Sequence, residues 1–326
     1  MPILNLRPLR RAAVAVAALV LSAAAHAEYP DHPIRLVLPY ASGGGADTVG
    51  RPMAVALSKQ LGATVIVDNR GGASGGIAMS LVAHAKPDGY TLALALTAQA
   101  AINPGLVKRL SYDPVKDFEP ISLLAQAPYF LAVSPSLGVK TLPEFIALVR
   151  KNPGKFSYGS SGTGSGLHLS MELLKSMAGL DMEHIPYQGA SPAYTDLMGG
   201  RLQAVFAGFG SGGSFLQAGK MVALGVTTAQ RSPAHPEVPT IAEAGVPGYQ
   251  SYVWYALLAP KGTPQPILDK LQRAAVAALK DPEVQKLFMV DGVQPIGSSP
   301  QELSAFMRKE TVKWREVIQR AGIEPE

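Results

Sequence analysis

The sequence predicts an α/β protein of two lobes, joined by two crossover segments with a cleft between them. Three observations carry that prediction. One pattern occurs twice: an apolar, β-like run ends in Gly and Ser and a helix-like stretch follows, over residues 34–47 and again over 155–168. Between and after the two copies, strand-like and helix-like segments alternate, which implies parallel sheets with helices on both faces. Two long apolar runs, at 128–135 and 249–259, are read as the chain leaving the first lobe and returning to it.

In chain order, 34–39 reads as a buried strand. Residues 46–61 place Val49, Met53, Ala56, Leu57 and Leu61 on one helical face. A second strand is expected at 64–67 and a Gly-rich loop at 71–76, followed by a helix to about Ala85. The Pro87-Asp88-Gly89 turn leads into a third strand at 90–96. After the first crossing, a second series is expected. It comprises a helix at 142–151, a strand at 156–158, a helix at 166–178, and a strand at 183–186. A helix at 192–198 and strands at 204–207 and 222–227 follow. The tail carries amphipathic helices near 266–280, 282–290 and 300–321. The expected division is 28–127 with 249–326 as domain one and 128–248 as domain two. Two crossings make a hinge, and a hinge over a cleft suits a ligand trap.

Residues 1–27 read as an export signal. Arg7, Arg10 and Arg11 form a basic start, residues 12–25 a short apolar stretch, and Ala25-His26-Ala27 a small-x-small cleavage site. The apolar stretch falls short of the ~20 residues a membrane span needs. With no cysteine in the chain, neither a lipid at the new N-terminus nor a disulfide can form. The expected product is exported, with the periplasm as its compartment. Three of the 29 basic residues lie in the signal, leaving 26 against 24 acidic ones. That balance gives no reason to expect nucleic acid or a membrane surface as a partner.

Each copy of the repeated pattern sets a helix N-terminus, with free N–H groups and partial positive charge, at the carboxyl end of a strand. Two such ends facing across a cleft would grip a small carboxylate. In the first copy the candidate contacts are Tyr40, Ser42, Gly43, Gly44, Gly45, Ala46 and Asp47. Three consecutive glycines let backbone approach a ligand, where a plain turn needs fewer. Asp47 is read first as a residue satisfying helix-start amides, and second as a contact. Ser74 and Gly75 lie in the 71–76 loop. Thr97 and Gln99 follow the third strand, where open α/β sheets bind ligands. In the second copy Ser160, Ser161, Thr163 and Gly164 sit beside the helix start, with local turn capping the competing role. His168 is read as a packed, hydrogen-bonded histidine before a contact. Tyr187 and Gly189 follow a second-lobe strand in the same way as Thr97 and Gln99. Arg51 and Arg70 are read as solvated.

A set of segments runs through the chain: Pro39 to Asp47 with Arg51, Asn69 to Gly76, Pro87 to Thr91, and Tyr112 to Pro120. Tyr158 to His168 with Glu172, Pro186 to Gly189, Pro260 to Pro264, and Glu310 to Trp314 complete it. Taken together, in this order and spacing, they resemble the substrate-binding proteins of tripartite tricarboxylate transporters, the Bug family. The resemblance spans nearly all of the chain after the signal. It implies a periplasmic-binding-protein-like α/β fold and capture of a small di- or tricarboxylate or aromatic acid. It also implies delivery to the membrane permease subunits of the transporter, with no catalysis. The sequence has no zinc spacing and no cysteine, so no metal is expected; no cofactor is expected either, and a monomer is expected. The chain departs from the family pattern at Gly71 and Ser74, where Pro and Gly are more usual. It departs also at Ala207, where members often carry Asp, and this disfavours an amino-acid ligand.

Two other classes compete. Gly72-Ala73-Ser74-Gly75-Gly76 matches G-x-S-x-G, so an exported serine hydrolase would use Ser74 with Asp196 and His235 downstream. The flanking glycines fit a plain anion-binding loop as well. A ligand-sensing partner of a membrane signalling protein would use the same site. Nucleotide chemistry fits worse: Gly45 to Gly50 has P-loop spacing, but Arg51 stands in the lysine's place.

Overall fold

The computed structural model describes residues 29–42 and 45–325. The expected export signal with its Ala27 cleavage site, and the candidate contacts Gly43 and Gly44, lie outside the described residues.

The first series is β1 (Ile34–Leu38), α1 (Gly45–Leu61), β2 (Val65–Asn69), α2 (Gly76–Ala83) and β3 (Thr91–Leu96). β1 pairs parallel to both β2 and β3. Its alternation explains the layering. Ile34, Leu36 and Leu38 point into one core with α1, while Val37 points into another with α2. Both faces of the strand are therefore covered, as a parallel sheet requires. The Pro87–Gly89 turn is closed by Asp88, whose Oδ1 accepts the Tyr90 N–H at 3.0 Å.

A π-helical turn (Ala98–Ile102) and the short α3 (Asn103–Leu106) lead to β4 (Phe118–Val133). The sequence pattern marked only the second half of this strand, because Pro120 and Pro128 interrupt it. The structure accommodates them where pairing changes. The register with β9 (Tyr252–Pro260) shifts just after Pro120, and Pro128 is the last residue paired to β9. A residue without an N–H is tolerated at such places. From Tyr129 onward β4 pairs instead with β7 (Ala204–Gly208) and, from Phe130, with β8 (Val222–Val226). One strand thus belongs to both lobes.

The second series contains α4 (Leu142–Lys151), β5 (Ser157–Ser160), α5 (Gly166–Ala178), β6 (Glu183–Pro186) and α6 (Ala190–Met198), with β7 after it. β5 pairs parallel to β6 and β7. An unexpected helix, α7 (Phe209–Gln217), follows β7. Its sequence FGSGGSFLQ is a poor helix former, since each interior Gly costs roughly 1 kcal/mol. Packing overrides that cost: a Cβ on Gly212 would lie 2.9 Å from Ala207 Cβ and 3.2 Å from the Phe130 ring. The glycine lets the helix sit directly on its sheet.

The chain returns through Ser251, whose N–H donates to Thr227 at 3.0 Å, and enters β9. Helices α8 (Gln265–Ala278), α9 (Pro282–Val290) and α10 (Pro300–Arg320), with the two-residue β10 (Gln294–Pro295), pack on the first lobe. The sheet order is β2-β1-β3-β9-β4-β7-β5-β6, with β8 and β10 both on β4.

Candidate functional site

The carboxyl ends of β1 and β3, and of β5 and β6, carry the loops singled out from the sequence. In the first lobe these loops are tied to one another. Asn69 Nδ2 donates to the Tyr40 carbonyl at 2.9 Å and to Asp47 Oδ1 at 3.2 Å. Arg51 reaches Asp47 at 3.1 Å and Asn69 Oδ1 at 3.1 Å. Asp47 therefore sits, buried, at the start of α1 as an organiser of the loop. Ala46 is buried in the core and offers only its amide, whereas Ser42 and Gly45 are exposed.

Two first-lobe expectations are corrected. Gln99 is fully buried and its amide is spent within the protein. It donates to the Tyr40 hydroxyl at 3.0 Å and the Ser74 carbonyl at 2.8 Å, and accepts from Leu96 N–H at 3.2 Å. Thr97 is 3% exposed, and its hydroxyl accepts the Trp254 N–H at 2.9 Å. Both are positioning residues, because a side chain enclosed and bonded in this way has no donor left for a ligand. Asn103, which the sequence reading passed over, gives the Ser74 carbonyl a second donor at 3.1 Å and also reaches the Tyr112 hydroxyl at 3.2 Å. These bonds hold Ala73, Ser74 and Gly75 in left-handed conformations, with φ of 47°, 52° and 84°. Ser74 itself is exposed.

In the second lobe Ser160 is also corrected. It is a strand residue, 1% exposed, whose Oγ contacts Gly162 N and O and lies 2.7 Å from His184 Nε2. The hydroxyl closes the turn. Ser161 is half-buried, Thr163 exposed and Gly164 buried, and the cap of α5 is Ser165, which accepts the His168 N–H at 3.2 Å. His168 Nδ1 accepts the Gly164 N–H at 3.0 Å, so this ring is a support of the loop. Its ring stacks on His184 at 3.7 Å. Behind the pair, Tyr158 donates to Glu172, which lies 2.6 Å from Lys175 Nζ. The Tyr187 hydroxyl donates to Asp196 at 2.6 Å and is pushed up to about 12 by burial and by that carboxylate. Gly189, with φ 106° and open space where a side chain would be, starts α6.

Burial, with Lys175 nearby, lowers His168 to about 3 and His184 to about 4. Both rings are therefore neutral in the folded state near pH 7. A base whose folded pKa is depressed contributes its full share of stability above its ordinary value near 6.5, and loses it as pH falls toward the folded value. The melting temperature is expected to drop between pH 6.5 and 5. Replacing both rings (His168→Gln with His184→Gln) should flatten that drop; an unchanged slope in the double variant would contradict the assignment.

The two loop systems meet between the lobes through tyrosines. The Tyr255 hydroxyl on β9 donates to the Gly45 carbonyl at 3.1 Å, at the start of α1. The Tyr129 hydroxyl on β4 lies against the start of α5, where a Cβ on Gly166 would come within 2.7 Å of it. Burial raises the Tyr129 pKa far above its ordinary value, with the neighbouring Tyr255, Tyr40 and Tyr194 adding to the shift. Gly164 touches Leu106 of the first lobe, which a Cβ would approach to 2.4 Å. The starts of α1 and α5 are thus each in contact with a tyrosine hydroxyl of one buried cluster. Tyr129 and Tyr255, which touch the two helix starts, were missed from the sequence. The available signal was that Tyr129 and Tyr255 lie in the two crossing runs, which must floor any cleft.

The arrangement does not assemble a hydrolase. Asp196 is paired with Arg201 and Tyr187, and His235 stacks on Phe209 beside Glu237. Among the described residues no group of three or more His, Asp or Glu is placed to hold a metal ion, and no helix is long and apolar enough to cross a membrane.

Residues 49–323 match the family described as tripartite tricarboxylate transporter family receptor. BugT of Bordetella pertussis is 33% identical over 295 residues, covering 90% of each chain. The R. palustris protein Rpa4515, solved with adipate, is 37% identical, with a TM-score of 0.83 over 92% of this chain and 100% of its own. MatC of Rhodopseudomonas palustris, solved with bound malate, is 32% identical, with a TM-score of 0.78 over 89% of this chain and 100% of its own.

Proposed function

Because the chain belongs to the tripartite tricarboxylate transporter receptor family, whose members are substrate-binding proteins and not enzymes, we propose that it captures a small carboxylate between its lobes and delivers it to the membrane permease of such a transporter. Domain one comprises residues 28–127 with 249–326, and domain two residues 128–248. The protein acts in the periplasm after removal of residues 1–27. The observation that carries the reading is the pair of tyrosine contacts, Tyr255 to Gly45 and Tyr129 beside Gly166, which bring both helix starts to one tyrosine cluster. One carboxylate rests on the Ser42–Asp47 loop, and the polar far end of the ligand meets the Ser161–Gly164 loop. Closure then buries the ligand and makes the surface the permease reads.

No buried cation is required. A hydrogen bond to a charged group contributes ~1.5–3 kcal/mol net. Four or five, less ordering costs, reach the ~8 kcal/mol of micromolar binding. Backbone donors fixed before the ligand arrives lose little entropy. That adipate and malate occupy similar proteins supports a dicarboxylate here.

Thermal unfolding with adipate, malate, citrate, aromatic acids and amino acids tests the proposal. A carboxylate at 100 times its dissociation constant is expected to stabilise the fold by ~2.7 kcal/mol. Stabilisation by amino acids alone, or by no acid in the panel, would overturn it.

A further inference from the structure

The loop between α9 and β10 meets the second lobe at the start of α7. A Cβ on Gly210 would lie 2.8 Å from Asp291 Oδ1 and 3.0 Å from its Cγ. Gly210 is in the first turn of α7, so the absence of a side chain there is what admits the carboxylate. The first turn of a helix presents free N–H groups, and the residue before α7, Gly208, supplies no side-chain cap. Among the described residues Asp291 has no cationic partner, and burial raises its pKa. Beside it Gly292, with φ 65°, is packed against Phe209 of α7, Pro128 of the crossing strand and Ser232. Ser232 Oγ is buried and has no hydrogen-bond partner among the described residues. An uncapped helix start beside Asp291 and an unsatisfied hydroxyl beside Gly292 thus lie on one lobe, against a loop of the other.

We propose that Asp291 is an interlobe latch: its carboxylate engages the start of α7 and the Ser232 hydroxyl as the lobes tighten, and holds the closed arrangement. The inference rests on the two-lobed capture described above. It adds to that reading a contact that favours closure whichever acid is bound. Asp291 also influences the Tyr255 hydroxyl electrostatically, so the latch adjoins the contact that anchors Gly45.

The chain has no cysteine, so spin labels can be placed without background. Val55→Cys on α1 and Thr195→Cys on α6 are exposed positions, one on each lobe. In unliganded protein, Asp291→Asn and Gly210→Ala are each expected to broaden the interlobe distance distribution toward open forms. A charge at a helix start shifts such an equilibrium about two- to fivefold. Gly213→Ala on the same helix, where a Cβ meets nothing within 4 Å, should match wild type. Superimposable distributions for Asp291→Asn, Gly210→Ala and wild type would overturn the latch, as would an equal shift in Gly213→Ala. Because the measurement needs no ligand, failure of the carboxylate proposal in thermal unfolding remains a separate result.

Discussion

Replacing Glu310 by Ala is expected to destabilise the protein by about 3–5 kcal/mol, the cost of removing one partner from a buried charged network. Glu310 is 4% exposed. Its Oε2 accepts two indole N–H groups, Trp254 at 3.1 Å and Trp314 at 3.0 Å. Both indoles are essentially enclosed, at 0% and 1% exposure. Lys313 Nζ lies 3.6 Å from the other carboxylate oxygen and 4.6 Å from the Trp314 ring centre. Burial lowers the Lys313 pKa, and Glu310 opposes that shift. Alanine would leave two buried donors unsatisfied, at roughly 1–3 kcal/mol each, and a desolvated ammonium without its counter-charge. Glu310→Gln keeps an acceptor oxygen in place and should cost less than half as much. Denaturant unfolding of the two variants tests this; an alanine variant within 1 kcal/mol of wild type would show that the carboxylate does not hold β9 to α10.

Gly75→Val carries the second large effect, and it reaches the proposed binding site. Gly75 has φ +84°, a conformation costly to any β-branched residue, and a Cβ there would fall 2.5 Å from Gln99 Nε2 and 2.8 Å from Pro39 Cβ. Gln99 cannot swing aside without surrendering its bonds to Tyr40, Ser74 and Leu96. Backbone strain of roughly 1–3 kcal/mol adds to overpacking of similar size. The expected loss is about 3–5 kcal/mol of stability, together with carboxylate binding, since the Tyr40 and Ser74 loops lose their common support. Gly62→Ala separates the two costs. Its φ is +67° but nothing lies within 4 Å of a Cβ, so it should show only the backbone penalty of about 1 kcal/mol. Equal losses at the two positions, by chemical denaturation, would mean that the Gln99 contact is not what excludes a side chain at Gly75.

Elements governed by neighbouring residues were legible. α5 begins at Gly166 and ends at Ala178 as its pattern predicts, because Ser165 caps it and Gly179 closes it in the left-handed conformation. α4 starts at Leu142 behind a capping box of Thr141 and Glu144. The first half of β4 was not legible, since its two prolines read as breaks until the register shifts of β9 accommodate them. Nor was α7, whose glycines argue against a helix until the Phe130 and Ala207 surface demands their smallness. The placement of these loops at strand ends could be read from sequence, but the availability of their side chains could not. Thr97, Gln99 and Ser160 carry suitable donors, yet each is consumed by a partner within the protein.

By itself, then, the sequence determined the alternating α/β order, the Gly-rich loops at helix starts and the resemblance to carboxylate receptors. Periodicity, capping and turn chemistry act over a few neighbouring residues and leave their mark in the string. Only the tertiary structure decided which polar groups are consumed within the protein and which distant segments touch. The Tyr255–Gly45 bond joins residues 210 positions apart, and the Asp291–Gly210 contact joins the two lobes. Such contacts depend on how the layers stack, and no local pattern encodes that.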